Sequence, residues 1–190
     1  RLPRTVYVGN HGLVFFPSTL GWGSKSLENW HSISRRGRDR LVPLLRQWPG
    51  ALLEDKGWDL SLHYRALSPS KVRGFIEDMT QALTDLPINF HLGKKVLEVR
   101  PQGAPNKAQA LARLMDRYGI KKKNGLCLHI GDDRTDEDIF QAFAGQTRHF
   151  IGIKVGAGKT RARFRLRNTA EVRRFLTLFT PKTKYPREVA

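Results

Sequence analysis

The feature that most constrains the fold is an apolar segment, Leu126–Ile130, which leads directly into the acidic segment Gly131–Asp138. A short, uninterrupted apolar run predicts a strand buried on both faces, as in a parallel sheet. Helical patterns alternate with such runs after Pro101, and this alternation predicts a parallel α/β layer over residues 102–180. The predicted elements are a helix opened by Pro105, strand 126–130, a helix over about 137–144, strand 149–155 and a last helix capped by Thr169.

Residues 13–101 follow a different pattern, in which pairs of short strands are separated by amphipathic helices. This order predicts an antiparallel sheet backed by helices on one face, an α+β lobe inserted after a core strand and turn in residues 1–12. Residues 181–190 are predicted to form an unstructured tail. The elements predicted within the lobe are strand 13–16, a helix with a stripe at Leu41, Leu44, Leu45 and Trp48, a hairpin of strands 51–54 and 60–65, a helix from Ser68 or Ser70 towards Pro87, and strands 88–92 and 95–99.

The chain of 190 residues carries 34 Lys and Arg against 17 Asp and Glu, a formal net charge of +17, so an anionic partner is expected. Nine of these net positive charges fall in residues 154–190, where Ala162–Arg167 alternates apolar residues with arginines. That alternation predicts a strand with Ala162, Phe164 and Leu166 on its buried face. A nucleic-acid footprint, a field that attracts phosphorylated metabolites and a plain solvated face all remain open. The sequence contains no RRM signature and no Cys/His finger, so nucleic acid is the less favoured partner.

Cys127 is the only cysteine, so a disulfide framework is excluded and a reducing cytoplasm is the expected location. No apolar stretch approaches the roughly 20 residues that span a bilayer, and no signal peptide follows Arg1, so no membrane association is expected. The chain opens without Met, which is consistent with a fragment.

The acidic segment holds five carboxylates in seven residues at the expected carboxyl end of a strand, where α/β sheets bind ligands. Such oxygen ligands suit Mg²⁺, with Asp132 and Asp136 facing the ion. The alternative is that Thr135 and Asp138 form a capping box and the acids complement the helix dipole. Both interpretations can hold together.

A second glycine-rich segment, Gly156–Thr160, looks like the end of a nucleotide-binding P-loop. The full pattern needs a glycine where Ile153 stands and a helix after Thr160, where a strand pattern follows instead. The P-loop interpretation is therefore rejected.

The acidic segment with its following residues, Gly131–Phe140, resembles the fourth motif of haloacid-dehalogenase-like phosphatases, in the form typical of trehalose-6-phosphate phosphatases. The resemblance covers roughly residues 5–180. It continues in Gly9–Gly12, Leu53–Lys56, His63–Arg65, Leu97–Pro101, Lys107 and Thr160–Leu166.

The resemblance implies an α/β fold of the haloacid-dehalogenase type, a Rossmann-like core with an inserted α+β cap lobe, and hydrolysis of trehalose 6-phosphate. It implies that Asp132, Asp133 and Asp136 form the Mg²⁺ motif and that Lys107 neutralises the phosphate and the nucleophile. In the cap, it implies sugar contacts from Glu54, Lys56 and Glu98. Asn10, His11, Arg65 and Arg100 lie in matching motifs and complete the expected substrate-binding set. Without the resemblance, Glu98 and Arg100 would be read as an exposed strand face and Lys107 as a solvated helix lysine.

Two expected motifs are missing from the sequence: the nucleophile motif, and a second motif of Ser or Thr followed by Gly-Arg that the resemblance places shortly before Gly9–Gly12. The resemblance implies a nucleophilic aspartate in Asp-x-Asp-Gly-Thr, which forms an aspartyl-phosphate, yet Asp-x-Asp-Gly occurs nowhere in the 190 residues. The chain is then either the C-terminal part of a longer phosphatase, with an incomplete core and no activity alone, or an inactive relic. The first is favoured because the metal motif, the lysine and the cap residues are retained. Phosphatases of sucrose, mannosyl or glucosyl phosphates, and a basic nucleic-acid-binding or regulatory fragment, are the alternatives.

Overall fold

The computed structural model describes residues 5–179, so the tail predicted at 181–190 lies outside the described residues. The chain divides into two compact units between Ala110 and Leu111. The sequence predicted domain boundaries after residues 12 and 101, and these stay a prediction. Each unit is described below by itself.

The first unit begins with a small antiparallel hairpin of β1 (Tyr7–Gly9) and β2 (Val14–Phe16), in which Val8 lies opposite Phe15. The sequence predicted the first of these strands as a core strand separate from the cap lobe. It pairs with β2 instead, because Asn10, His11 and Gly12 adopt positive φ angles that reverse the chain at once.

Helix α1 (Ser24–Leu45) contains 22 residues and starts well before the predicted stripe at Leu41–Trp48. Its buried residues lie on one narrow face that includes Ile33, Gly37 and Leu41. A Cβ at Gly37 would lie 3.5 Å from Leu60, so the helix packs closely on the sheet at this point. The polar first half hides this face from a search for apolar periodicity.

Four antiparallel strands form the main sheet of the first unit in the order β3-β4-β6-β5, as the sequence predicted for this lobe. Leu60 and Leu62 of β4 lie opposite Val99 and Leu97 of β6, and their side chains share one buried face with Phe75 and Met79 of α2. Helices thus cover one face of the sheet and leave the other for polar residues. The bounds are β3 (Leu52–Asp55), β4 (Leu60–His63), α2 (Pro69–Gln81), β5 (Ile88–Gly93) and β6 (Val96–Pro101).

The second unit contains a parallel sheet in the order β7-β8-β9, which confirms the predicted α/β layer. The strand predicted to be wholly buried is half-buried, with Leu128 38% exposed, because β7 is an edge strand in the described sheet. Helix α3 contains the division between the units. The bounds are α3 (Lys107–Arg117), β7 (Cys127–Gly131), α4 (Arg134–Ala142), β8 (Phe150–Val155), β9 (Phe164–Leu166) and α5 (Thr169–Thr177).

Strand β9 differs from its prediction in burial. Phe164 is 48% exposed rather than buried, because β9 is the other edge of the sheet, and the guanidinium of Arg163 lies 5.3 Å from the centre of its ring. The cap of α5 is Asn168, whose side chain accepts a hydrogen bond of 3.1 Å from the N–H of Glu171, and not Thr169. Within residues 5–179, no helix has the length and apolar character that crossing a membrane requires.

Candidate active site

A row of polar residues crosses the uncovered face of the main sheet in the first unit. The register places Glu54 of β3 opposite Ser61 of β4, and Ser61 opposite Glu98 of β6. Side chains alternate along a strand, so this row lies on the face opposite to Leu60 and Leu62. Glu54 and Glu98, both predicted sugar contacts, therefore share one face; we call it the site face.

Two neighbours lower the pKa of Glu54. Nε2 of His63 lies 2.9 Å from its Oε2 atom, and Nζ of Lys56 lies 4.0 Å away. The hydrogen bond with His63 is the largest cause of a lowered pKa of Glu54, followed by the charge of Lys56. An ionised carboxylate accepts hydrogen bonds only, which suits it to bind hydroxyl groups.

Lys56 connects the sheet with the turn after β1. Its Nζ donates a hydrogen bond of 3.0 Å to Oγ of Ser61, and its backbone oxygen accepts one of 2.9 Å from Nδ2 of Asn10. In the same turn, Nε2 of His11 lies 3.9 Å from Oε1 of Glu98. The structure therefore brings together Asn10, His11, Lys56 and Glu98 on the site face, and their role as substrate contacts stays a prediction.

Gly12 fits this turn to the start of α3. At its φ of 109°, a Cβ would lie 2.7 Å from the carbonyl oxygen of Asn106 and 2.9 Å from Cβ of Ala110, so only glycine fits without displacement. Asn106 caps α3 reciprocally with Gln109, each side chain accepting a 2.9 Å hydrogen bond from the other's backbone N–H. Lys107, the predicted phosphate-binding lysine, is the first residue of that helix.

Two of the predicted substrate residues, Arg100 and Arg65, have surroundings that differ from each other. Arg100 of β6 donates from Nη2 to the carbonyl oxygen of Pro105 at 3.1 Å, and its charge acts on His11. Arg65 is exposed beyond the end of β4, and within the described residues no contact joins it to the site face. Arg65 thus stands apart from the other predicted residues of the first unit.

Three residues of the site face were missed by the sequence reasoning: Asp59, Ser61 and His63. They occupy every second position beside the buried Leu60 and Leu62, so strand alternation was the signal that could have found them. Asp59 is buried, and burial is the largest cause of its raised pKa, opposed chiefly by the charge of Lys56. Burial likewise lowers the pKa of His11, against the opposing charge of Glu98.

In the second unit, the acidic loop after β7 forms a capping box. Oδ1 of Asp133 accepts a 2.8 Å hydrogen bond from the N–H of Asp136, and Oδ2 of Asp136 accepts one of 3.0 Å from the N–H of Asp133. The predicted box of Thr135 and Asp138 is wrong by two residues, because α4 begins at Arg134. Gly131 lies directly beneath the Asp136 side chain and leaves no room for a Cβ.

The three predicted metal ligands have different surroundings. Asp136 is 5% exposed, and its Oδ1 lies 3.1 Å from Nε2 of His129, so both of its oxygens have protein partners. Asp132 is exposed, and its backbone oxygen accepts a 2.7 Å hydrogen bond from Nζ of Lys154. Among residues 5–179, no group of three or more His, Cys, Asp or Glu side chains is arranged to hold a metal ion. Because Mg²⁺ uses only one or two protein carboxylates, the exposed carboxylate of Asp132, on a loop fixed by the capping box, fits such an ion.

Glu137 ties the glycine-rich segment to α4. Its Oε2 accepts hydrogen bonds of 3.1 Å from Oγ1 of Thr160 and 3.0 Å from the N–H of Arg161, and Nζ of Lys154 lies 3.4 Å from Oε1. Burial acts to raise the pKa of Glu137, but these hydrogen bonds and Lys154 lower it overall. Strand β9, and not a helix, follows Thr160, which confirms the rejection of a P-loop.

Some of the arginines near β9 serve the local structure. Arg165 donates to the carbonyl oxygens of Gly156 and Gly158, and Nε of Arg167 donates to Oε1 of Glu171 at 2.6 Å. Part of the basic excess therefore stabilises the turn before β9 and the first turn of α5.

The parallel sheet with an acidic loop at the carboxyl end of β7, together with the antiparallel α+β unit, defines the class of haloacid-dehalogenase-like proteins and confirms the predicted fold class. The family model for trehalose-phosphatase matches residues 1–170, and the chain belongs to that family.

Relatives of known sequence and structure agree with this assignment. The chain is 30% identical over 192 residues to probable trehalose-phosphate phosphatase D of Arabidopsis thaliana, covering 93% of this chain and 51% of the relative. Probable trehalose-phosphate phosphatase H of the same plant is 33% identical, with 93% and 55% covered. Trehalose-6-phosphate phosphatase of Aspergillus fumigatus superposes with a TM-score of 0.58 at 26% identity, over 78% of this chain and 58% of that structure. The chain spans about half the length of the curated relatives that it matches.

Proposed function

We propose that the whole protein hydrolyses trehalose 6-phosphate to trehalose and inorganic phosphate. The observation that carries the proposal is the site face, where Glu54, Lys56 and Glu98 are joined to Asn10 and His11. Carboxylates and an ammonium group on one face suit a ligand with many hydroxyls. Membership of the trehalose-phosphatase family supports the choice of disaccharide.

Each of these side chains has a separate task in the proposal. Glu54, whose pKa His63 and Lys56 lower, accepts hydrogen bonds from sugar hydroxyls. Lys56, held by Ser61, donates to a hydroxyl or ring oxygen. Glu98, on the other side of Ser61 in the polar row, accepts hydrogen bonds from sugar hydroxyls. These contacts orient the sugar.

The phosphate end of the reaction is assigned to two other places in the chain. Lys107, at the capped start of α3, neutralises the phosphate. Asp132 would hold Mg²⁺, while Asp133 and Asp136 fix the loop that presents it. When bound, the ion supplies positive charge that stabilises the transferring phosphoryl group.

The nucleophile is proposed to lie outside residues 1–190, since the chain contains no Asp-x-Asp-Gly. In the proposed reaction, that aspartate accepts the phosphoryl group, and the sugar leaves with a proton on the oxygen that carried it. Water then hydrolyses the aspartyl-phosphate and releases inorganic phosphate. The coding sequence upstream of Arg1 tests this: we expect Asp-x-Asp-Gly-Thr roughly 50–60 residues earlier, one α/β unit away. An open reading frame without that motif would identify the chain as a relic.

Phosphate release is the direct assay. The whole protein with Mg²⁺ should release phosphate from trehalose 6-phosphate faster than from sucrose, mannosyl or glucosyl phosphates. The 190-residue chain alone should release none. If another sugar phosphate is hydrolysed faster, that compound is the substrate instead of trehalose 6-phosphate. Metal-dependent phosphate release by the 190-residue chain would refute the proposal that the nucleophile lies outside it.

A further inference from the structure

Asp59 is a buried carboxylate on the site face. It is 3% exposed, and its Oδ1 atom has no hydrogen-bond partner among the described residues. Its backbone oxygen accepts a 3.1 Å hydrogen bond from the N–H of Lys56, which closes the β3–β4 turn. The turn therefore fixes the backbone of Asp59 while one carboxylate oxygen lacks a donor.

Two neighbouring polar atoms share this condition. Nδ1 of His11 and Nε of Arg100 are also buried without a hydrogen-bond partner in the described part of the chain. Leu60 lies opposite Val99 in the antiparallel pair, so the adjoining Asp59 and Arg100 are cross-strand neighbours. Nε2 of His11 lies 3.9 Å from Oε1 of Glu98 on the same face, and the charges of His11, Arg100, Lys56 and Glu98 all act on the Asp59 carboxylate. An acceptor, a guanidinium donor and an imidazole nitrogen thus belong to one buried cluster.

Buried polar atoms in folded proteins are nearly always hydrogen-bonded, so each exception requires an explanation. Asp59 requires a donor, Arg100 requires an acceptor, and His11 serves as either according to its tautomer. A hydroxyl group provides a donor and an acceptor on one atom. A phosphate dianion provides only acceptors and brings negative charge beside Asp59 and Glu98.

We propose that Asp59 is a specificity-determining residue that binds a hydroxyl of a neutral sugar ring and excludes phosphate from its end of the site. The identity of the ring, the unphosphorylated half of a disaccharide phosphate, rests on the proposed function. The substrate then has one permitted orientation, with its phosphate directed away from Asp59.

Calorimetric titration of the 190-residue chain tests this with trehalose 6-phosphate, trehalose, sucrose, sorbitol and inorganic phosphate as probes. Asp59→Asn keeps the shape of the side chain, and because burial disfavours the charged form, the variant should fold at least as stably. Asp39→Asn, at an exposed carboxylate of α1, is the matched control. We expect Asp59→Asn to weaken neutral-sugar binding roughly 10- to 100-fold, the worth of one hydrogen bond to a charged group, and to leave phosphate binding unchanged or tighter.

The outcomes separate the two proposals. If sucrose binds in an Asp59-dependent way and trehalose does not, the inference stands and the proposed substrate fails. If neutral sugars bind equally well to Asp59→Asn, or none binds at millimolar concentration, the inference is overturned. An equal loss of sugar and phosphate binding would also overturn it, because a structural role would produce that pattern. In the whole protein, an unchanged KM for trehalose 6-phosphate in Asp59→Asn would reject the inference and leave the proposed function intact.

Discussion

Nε2 of His63 lies 2.9 Å from Oε2 of Glu54, across the β3–β4 hairpin. A carboxylate can only accept, so His63 donates and thereby lowers the pKa of Glu54. We predict that His63→Ala raises this pKa towards its ordinary value, measured by NMR titration of the Glu54 side-chain carboxyl carbon. His91→Ala, at an exposed histidine of β5, should leave Glu54 unchanged. An unaltered Glu54 titration in His63→Ala would contradict the assignment.

Gly12 should be intolerant of a side chain. Gly12→Ala combines a φ of 109° with a Cβ only 2.7 Å from the carbonyl oxygen of Asn106. We expect a loss of about 1–3 kcal/mol in the free energy of unfolding, measured by urea titration with tryptophan fluorescence. Gly9→Ala is the control, because no heavy atom lies within 4 Å of its Cβ, and its cost should stay within about 0.5 kcal/mol. Equal costs would show that the turn is not seated against α3.

Substitution of Asp133 should affect stability, whereas substitution of Asp132 should affect metal binding. Asp133 caps α4, so Asp133→Ala should lower the free energy of unfolding by about 1 kcal/mol. Asp132→Ala should change stability by only about 0.5 kcal/mol or less but weaken Mg²⁺ binding. Urea unfolding without metal and calorimetric titration with Mg²⁺ give the two readouts. A stability loss in Asp132→Ala as large as that in Asp133→Ala would contradict the division of roles.

His11 should make the fold sensitive to mild acid. Burial, the largest cause, lowers its folded pKa below the ordinary value of 6.5. The unfolded chain then takes up the proton first, so stability from His11 is complete above pH 6.5 and is lost as pH falls through the folded pKa. His11→Gln should flatten the decrease in unfolding free energy between pH 7 and 5, measured in urea at each pH. An identical slope in His11→Gln would refute the prediction.

Strand alternation made much of the first unit predictable. Leu60 and Leu62 mark the buried face of β4, and Leu97 and Val99 mark that of β6, so the hairpin and the second strand pair were predicted close to their bounds. Which residues lie opposite one another depends on register, which no single strand encodes. Alternation places Ser61 on the site face, but its position between Glu54 and Glu98 follows only once the three strands are paired.

Other features could not be predicted because local signals in the sequence were absent or favoured a different structure. Thr135 and Asp133 are both good caps, and the choice between them depends on where the helix contacts its strand. The first half of α1 is polar, so its helical structure is revealed only by tertiary packing, in which Ile33 joins the buried core. The alternating sequence around Phe164 predicts a buried side chain, but Phe164 is half-exposed because it lies on an edge strand.

The position of β7 at an edge of its sheet has a practical consequence for handling the chain. In the described residues only one of its edges is paired, and Leu126 and Leu128 are 50% and 38% exposed. Such an edge invites strands of other molecules to join it and favours self-association during expression. Lys121, Lys122 and Lys123 stand just before this strand, in the place where gatekeeper charges oppose intermolecular β-pairing.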